Sequence, residues 1–264
     1  EGAKAITDMN VVHRSLPACP QMHGTGMWIG TMVALNCGGT VITQRTQHLD
    51  ADALLRCVVD NEVTDLTIVG DAFARPILGA LDAASAAGKP YDLSRLGQIA
   101  SSGVMWSSEI KEGLLRHHDM MLNDIMGSTE GSMGGSLSTR QSAAKTAKFV
   151  IADYVKVLNE NDEPVAPGSG EMGMVATAGI VPRGYYKDDI KSANTFRTIN
   201  GVRYSFPGDF ATVEIDGSIT LLGRGSQCIN TGGEKVFTEE VEEAIKRHPD
   251  VEDCLVVGLP DERL

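Results

Sequence analysis

Between Asp50 and Ile125 the chain alternates two patterns, and that alternation limits the folds open to it. Asp50 precedes Leu54, Leu55 and Val58, which recur at helical spacing. Leu66-Thr67-Ile68-Val69 is a short, β-branched run, and Ala72 to Ala87 has a helical composition, with Pro76 early enough for a first turn or a kink. Arg95 to Ala100 predicts a strand, Ser107 to His117 a helix, and Met120 to Ile125 a strand. Helices alternating with short apolar runs imply βαβ units and an α/β fold with a mainly parallel sheet. Such sheets bind ligands beyond the carboxyl ends of their strands. Two stretches fall there: Ser101-Ser102-Gly103 and Gly127-Ser128-Thr129-Glu130-Gly131.

The texture changes after Ala147. Lys148 to Val157 alternates, and Asn159 to Pro164 and Pro167 to Gly170 are turn sequences. Glu171 to Thr177, Gly201 to Tyr204, Phe210 to Ile215 and Ser218 to Leu222 predict strands, with Asp216-Gly217 as a tight turn. Gly184-Tyr185-Tyr186 precedes a charged helix. The expectation is a small β-rich subdomain. Residues 1–20 show weak periodicity. Near the other end, Gly223-Arg224-Gly225-Ser226 is a glycine-rich turn carrying an Arg, and Gly232-Gly233 a second tight turn. Thr238 then caps a helix whose first turn holds Glu239 and Glu240, and Pro249 ends it.

A formal net charge of −12 argues against sequence-independent binding to nucleic acid or anionic lipid. No apolar run approaches the roughly 18 residues of a membrane span. The five cysteines are scattered, with no C-x-x-C pair and no zinc-like His spacing, and read as small buried residues in a reducing cytoplasm. Glu1 at the start, and Leu264 directly after what reads as a strand, predict a fragment of a longer protein.

Taken singly, the polar motifs are ambiguous. Gly127-Ser128-Thr129-Glu130 offers hydroxyls and backbone N–H groups to phosphate oxygens, with a carboxylate beside them for Mg²⁺, yet alone it is a weak signal that reads sooner as a plain turn. Asp209 after Pro207-Gly208 is pinned at a turn and able to accept two ribose hydroxyls, and is also ordinary turn chemistry. A lone His23 after a proline-punctuated turn is usually structural, and Trp28 suits a pocket wall or a core equally.

In combination these stretches resemble the adenylate-forming (AMP-binding) superfamily of acyl-CoA synthetases, luciferases and peptide-synthetase adenylation domains. The chain is most similar to actinobacterial-type fatty acyl-CoA synthetases, through Gly223 to Lys235 and Val69-Gly70-Asp71-Ala72-Phe73-Ala74-Arg75-Pro76. The resemblance implies roles residue by residue. Thr129 is a phosphate contact and Glu130 the magnesium-side carboxylate, both catalytic, with Gly127 in the same turn. Asp124 meets the adenine amino group, while Ser102 and Gly103 flank adenine. Met126 stands where the family carries an aromatic ring against the base, so stacking is lost. Asp209 takes the ribose, and Pro207 departs from the usual Thr. Arg224 contacts ribose and phosphate, Ser226 is the hinge, and Gly233 swings inward for the thioester step. His23, Trp28 and the run from Gly131 to Gly135 border the acyl pocket.

The implied domain plan is a partial adenylation domain over 1–225, divided into an α/β part (1–146) and a β-rich subdomain (147–225), then a hinge and the start of a lid domain over 226–264. The implied reaction is ATP-dependent activation of a carboxylic acid, fatty by resemblance, to acyl-adenylate and then to the CoA thioester. ATP, Mg²⁺ and CoA are the cofactor and co-substrates, and the setting is cytoplasmic or peripheral to a membrane. The family's phosphate loop belongs ahead of residue 1 and its lid lysine beyond residue 264, so the chain by itself is expected not to turn over. Two rival readings are a domain that loads a carrier protein, and a non-catalytic nucleotide- or acyl-binding paralogue. Acyl identity and oligomeric state are not legible.

Overall fold

The computed structural model describes residues 12–46, 48–231, 235–246, 248, 250, 251 and 254–259. The chain forms two compact units, one of residues 1–126 and 135–146, the other of residues 127–134 and 147–264. No helix among the described residues is long and apolar enough to cross a membrane.

The first unit opens with β1 (Arg14–Pro17), a π-helical segment (Thr25–Met32), α1 (Val33–Asn36) and β2 (Thr40–Val41). Then come α2 (Ala51–Asp60), β3 (Asp65–Ile68), α3 (Gly70–Ala86), β4 (Gln98–Ser102), α4 (Ser108–His117) and β5 (Met121–Ser128). Strand pairing runs β2-β1-β3-β4-β5, and all four of these pairs are parallel. The βαβ expectation therefore holds. In β3 all four residues are buried, the mark of a parallel strand covered on both faces.

Local chemistry explains the helix boundaries. Asp50 caps α2 by accepting from the Ala53 N–H at 2.9 Å, and Leu54, Leu55 and Val58 form its buried stripe. The helix α3 begins two residues earlier than the sequence pattern suggests, so Pro76 lies in its second turn rather than its first. Its start at Gly70 has a physical cause. Gly70 has φ +49°, and a Cβ there would lie 2.4 Å from the Met105 carbonyl oxygen. Together α2, α3 and α4 bury Leu54, Leu55, Val58, Ile77, Leu81, Ile110 and Leu114 against Leu66, Ile68, Ile99 and Leu122 of the sheet. Trp106 is fully buried in the same core.

Two features of this unit escape the sequence pattern. The weakly periodic N-terminal region contains β1, whose short length hides its period, yet Leu16 is fully buried. The segment around Trp28 is π-helical, with Thr25, Gly26 and Gly30 buried and Trp28 61% exposed, which excludes the core role for that ring.

The chain passes to the second unit within β5 and returns within β6 (Gly131–Ser138). The second unit continues with β7 (Lys148–Ile151), β8 (Val155–Leu158), β9 (Met172–Thr177), α5 (Asp189–Thr195), β10 (Phe196–Ile199), β11 (Val202–Ser205), β12 (Asp209–Val213) and β13 (Ile219–Arg224). Strand order is β10-β11-β9-β12-β13-β7, with β8 also on β9, and these pairs are antiparallel. Val155, Val157, Leu158, Val175, Ala176, Phe206, Ala211 and Ile219 are buried apolar residues of this unit.

A 3₁₀ turn (Gly225–Gln227), the hairpin β14 (Cys228–Asn230) and β15 (Lys235–Phe237), and α6 (Thr238–Lys246) complete the described elements. The glycine-rich turn expected at Gly223 to Ser226 is thus partly strand, because Arg224 closes β13. The Gly232-Gly233 turn and Pro249 lie outside the described residues. The strand expected near the C-terminus is not formed over residues 254–259. There the Val256 N–H donates to Glu242 Oε1 at 2.8 Å, a side-chain acceptor in place of a neighbouring strand.

Candidate functional site

In the first unit, the carboxyl end of β4 supplies Ser102 and Gly103. Gly103 has φ +97°, a backbone that L side chains rarely adopt, and a Cβ there would lie 3.2 Å from His23 Cε1. His23 accepts at Nδ1 from the Thr25 N–H (3.3 Å), and Thr25 Oγ1 donates to the Ser102 carbonyl (3.3 Å). His23, Ser102 and Gly103 are therefore brought together, with Thr25 as the link. His23 is exposed, and Trp28 stands one turn along the π-helical segment with its ring in solvent.

Asp124 and Met126 point to the same face of β5 as Leu122, and all three are buried. Asp124 is held by a partner that the sequence motifs do not name. Lys111 of α4 has no exposed side-chain surface, and its Nζ lies 2.7 Å from Asp124 Oδ2. The same Nζ donates to the Lys145 carbonyl at 2.9 Å and sits 5.3 Å from the centre of the Trp106 ring. Burial pushes the Asp124 pKa up, and Lys111 opposes that rise. Removing one partner of such a buried pair costs about 3–5 kcal/mol, because the other charge is left unpaired. The signal is nonetheless present in the sequence. Lys111 sits among Ile110, Leu114 and Leu115, on the stripe that α4 buries.

In the second unit, Thr129 and Glu130 form the tight turn between β5 and β6. Thr129 is exposed, while Glu130 is half-buried. Tyr185 Oη donates to Glu130 Oε1 at 2.5 Å. Burial raises the Glu130 pKa, but bonds from the Tyr185 and Ser128 hydroxyls and its own backbone, with the nearby Lys191, outweigh it, so the net shift is downward. Glu130 is thus an ionised carboxylate fixed at a turn. In sequence Tyr185 merely precedes a helix, and nothing in its neighbourhood points to Glu130. Gly131 opens β6, where a Cβ would meet Thr177 Cγ2 at 3.0 Å. The run from Gly131 to Gly135, expected as a pocket wall, is ladder strand in β6.

Asp209 and Arg224 are cross-strand partners at the end of the β12–β13 pair. Phe210 pairs with Gly223 and Ala211 with Leu221, so Leu222 is the extra residue of a β-bulge that re-aims the strand end. Arg224 Nε donates to Asp209 Oδ1 at 3.3 Å. Asp209 Oδ2 is buried and has no hydrogen-bond partner among the described residues. Burial raises the Asp209 pKa, Arg224 pulls it back, and Glu130 adds repulsion. Glu239 of α6 is a third carboxylate here, its pKa raised first by burial and then by Asp209. Ser226 is exposed in the 3₁₀ turn that follows, and Gly233 lies outside the described residues.

Comparison with known proteins agrees with this arrangement of elements. Residues 3–186 match the family described as AMP-binding enzyme. Over 250 residues the chain is 46% identical to a medium/long-chain-fatty-acid–CoA/3-oxocholest-4-en-26-oate–CoA ligase of Mycolicibacterium smegmatis, covering 94% of this chain and 45% of that protein. It is 44% identical to the 3-oxocholest-4-en-26-oate–CoA ligase of Rhodococcus rhodochrous, with the same coverage of 94% and 45%. The chain thus spans about half the length of the curated relatives it matches. The solved O-succinylbenzoate coenzyme A synthetase of Bacillus subtilis superposes with a TM-score of 0.74 at 20% identity, over 99% of this chain and 52% of that one, and shows the same fold. With a parallel βαβ sheet, a β-rich second unit and a family match over residues 3–186, this chain belongs to the AMP-binding enzyme family.

Proposed function

We propose that the protein containing this chain is an AMP-forming acid–thiol ligase. The carboxylate of its substrate attacks the α-phosphorus of ATP, giving an acyl-adenylate and pyrophosphate. The thiol of CoA then attacks the acyl carbon, releasing AMP and leaving the thioester. The observation that carries the reading is Asp209. A carboxylate oxygen that is buried without a donor is costly unless a ligand supplies one. A ribose hydroxyl is such a donor, and Arg224, always charged and multi-donor, stands beside it to meet phosphate.

Other roles follow from the resemblance. Asp124 meets the adenine amino group, with Met126, Ser102 and Gly103 beside the base. Thr129, exposed at its turn with Gly127, contacts phosphate. His23, Trp28 and Gly131 border the acyl group, Ser226 is the hinge, and Gly233 approaches for thioester formation. In domain terms, residues 1–225 act in adenylation and residues 226–264 begin a moving lid. Glu130 fits a Mg²⁺ ligand, being ionised, rigid and single, since magnesium keeps waters and shares phosphate oxygens rather than needing a protein cage. When bound, the ion neutralises charge on the phosphate oxygens. The chain's own contribution is to position substrate and to place fixed charge at the phosphoryl group.

The relatives at 44–46% identity, named as fatty-acid and cholestenoate CoA ligases, favour a long apolar acid as substrate and free CoA as acceptor. The test is direct. The full-length protein is given ATP, Mg²⁺ and a series of fatty and steroid side-chain acids, and AMP and acyl-CoA are quantified. AMP release with acylation only of a carrier protein would replace this reading by the carrier-loading one, and binding of AMP with no turnover of any acid would leave a non-catalytic paralogue.

A further inference from the structure

The buried charge cage around Asp124 has a consequence for which base the protein accepts. Lys111 Nζ has three N–H groups and no acceptor. One meets Asp124 Oδ2 at 2.7 Å and one the Lys145 carbonyl at 2.9 Å, and the ammonium faces the Trp106 ring at 5.3 Å. The side chain of Lys111 is wholly enclosed, so this cage has no slack of the kind a surface lysine would have. The carboxylate is therefore gripped by one oxygen only. Its other oxygen, Oδ1, accepts no hydrogen bond from the described residues and is fixed in direction by the grip on the first.

We propose that Lys111 is a positioning residue that sets purine selectivity: by holding Oδ2, it presents Oδ1 as a fixed acceptor to a 6-amino purine and against a 6-oxo purine. The proposal rests on the reading of Asp124 as the base contact. Its physics is that of a site built to accept a hydrogen bond, which rejects a ligand bringing another acceptor far more strongly than a merely complementary pocket does. Without Lys111, a carboxyl in this buried setting takes a proton and can turn, so it donates as readily as it accepts and the distinction fades.

The experiment compares ATP with inosine triphosphate, by kcat/KM for pyrophosphate release, in the full-length protein and in three variants. Lys111→Met should lower the ATP preference roughly tenfold, the size of one lost discriminating hydrogen bond. In Asp124→Asn, the amide oxygen stays on Lys111 because that ammonium only donates, so Nδ2 faces the base. The preference should then cross over to inosine triphosphate. In the double variant the amide turns freely and the ratio should settle near unity. Lys111→Met with the parent's ratio, while Asp124→Asn changes it, would overturn the role of Lys111 and leave the base contact standing. The parent's ratio in both Asn variants would instead overturn the base contact itself. Each single variant leaves a buried charge alone, whereas the double is neutral. If circular dichroism shows Lys111→Met unfolded, Asp124→Asn and the double decide together: an inosine preference in Asp124→Asn that falls to near unity in the double supports the role of Lys111, and the same ratio in both overturns it.

Discussion

Replacing Asp209 by Asn should weaken nucleotide binding and stabilise the fold at the same time. The Asn side chain keeps the shape and one carbonyl oxygen, so Arg224 retains a neutral acceptor where it now has a carboxylate at 3.3 Å. What disappears is a buried negative charge close enough to Glu130 and Glu239 for mutual repulsion. Because burial outweighs Arg224, the folded state holds the Asp209 proton more tightly than the unfolded chain does. The sign follows from linkage. For a carboxyl with a raised folded pKa, stability is greatest below the unfolded value of about 3.9 and is lost as pH rises through the folded pKa. Asp209→Asn removes that loss. The variant and the parent should therefore melt together in strong acid and diverge above it, with the variant ahead by on the order of 1 kcal/mol at neutral pH. For a protein of this size that is about 2–4 °C in Tm. Affinity should move the other way. A charge-assisted bond to a ribose hydroxyl, worth about 1.5–3 kcal/mol, is lost, so the Kd for AMP should rise about 10- to 100-fold. Calorimetric titration with AMP and thermal melts across pH read the two effects. An unchanged Kd together with a lower Tm at neutral pH would mean that Asp209 serves only its ion pair with Arg224, and the ribose assignment would be wrong.

Three other perturbations address separate parts of the molecule. Glu130→Gln should fold normally but need more Mg²⁺ for pyrophosphate release; coincident magnesium curves for variant and parent would make Glu130 structural. Ser226→Pro fixes φ within the 3₁₀ turn and removes a donor, so acyl-adenylate formation and thioester formation should be slowed unequally, and equal slowing in a folded variant would count against a hinge there. Gly70→Ala drives a Cβ to within 2.4 Å of the Met105 oxygen at φ +49°, and should destabilise by at least about 2 kcal/mol, read as an earlier urea midpoint with an unchanged slope.

Much of the fold was legible because its signals are local. The cap at Asp50, the apolar stripe of α2 and the β-branched run of β3 each act within a few residues, and each formed where its pattern lay. The failures share a cause. β1 is only four residues long, too short to show a period, and its Leu16 is buried by neighbours distant in sequence. β6 contains Gly131, Gly134 and Gly135, a run in which the sequence pattern shows no strand, yet a Cβ on Gly134 would lie 2.4 Å from the Val150 carbonyl oxygen. There glycine serves close backbone approach, a strand use that composition does not reveal.

The site divides along the same line, and the division shows what a sequence can say about chemistry. Lys111 interrupts the apolar stripe of α4, and Asp124 interrupts the buried face of β5 between Leu122 and Met126. Each is a charge where its element requires an apolar residue. Two such interruptions of opposite sign on elements adjacent in a βαβ unit imply one another, since either alone would be prohibitive in a core. That pair could have been found from pattern alone. Glu130 and Tyr185 could not. They are 55 residues apart, both lie at turns, and neither violates any periodicity, so their 2.5 Å contact exists only through the fold. Asp209 and Arg224 are intermediate: the strand pattern predicts a hairpin, but the bulge at Leu222 decides that their side chains meet. A charge placed against the pattern is thus readable from the order of residues by itself, whereas a charge placed in agreement with it acquires its partner, and its pKa, only from tertiary contact.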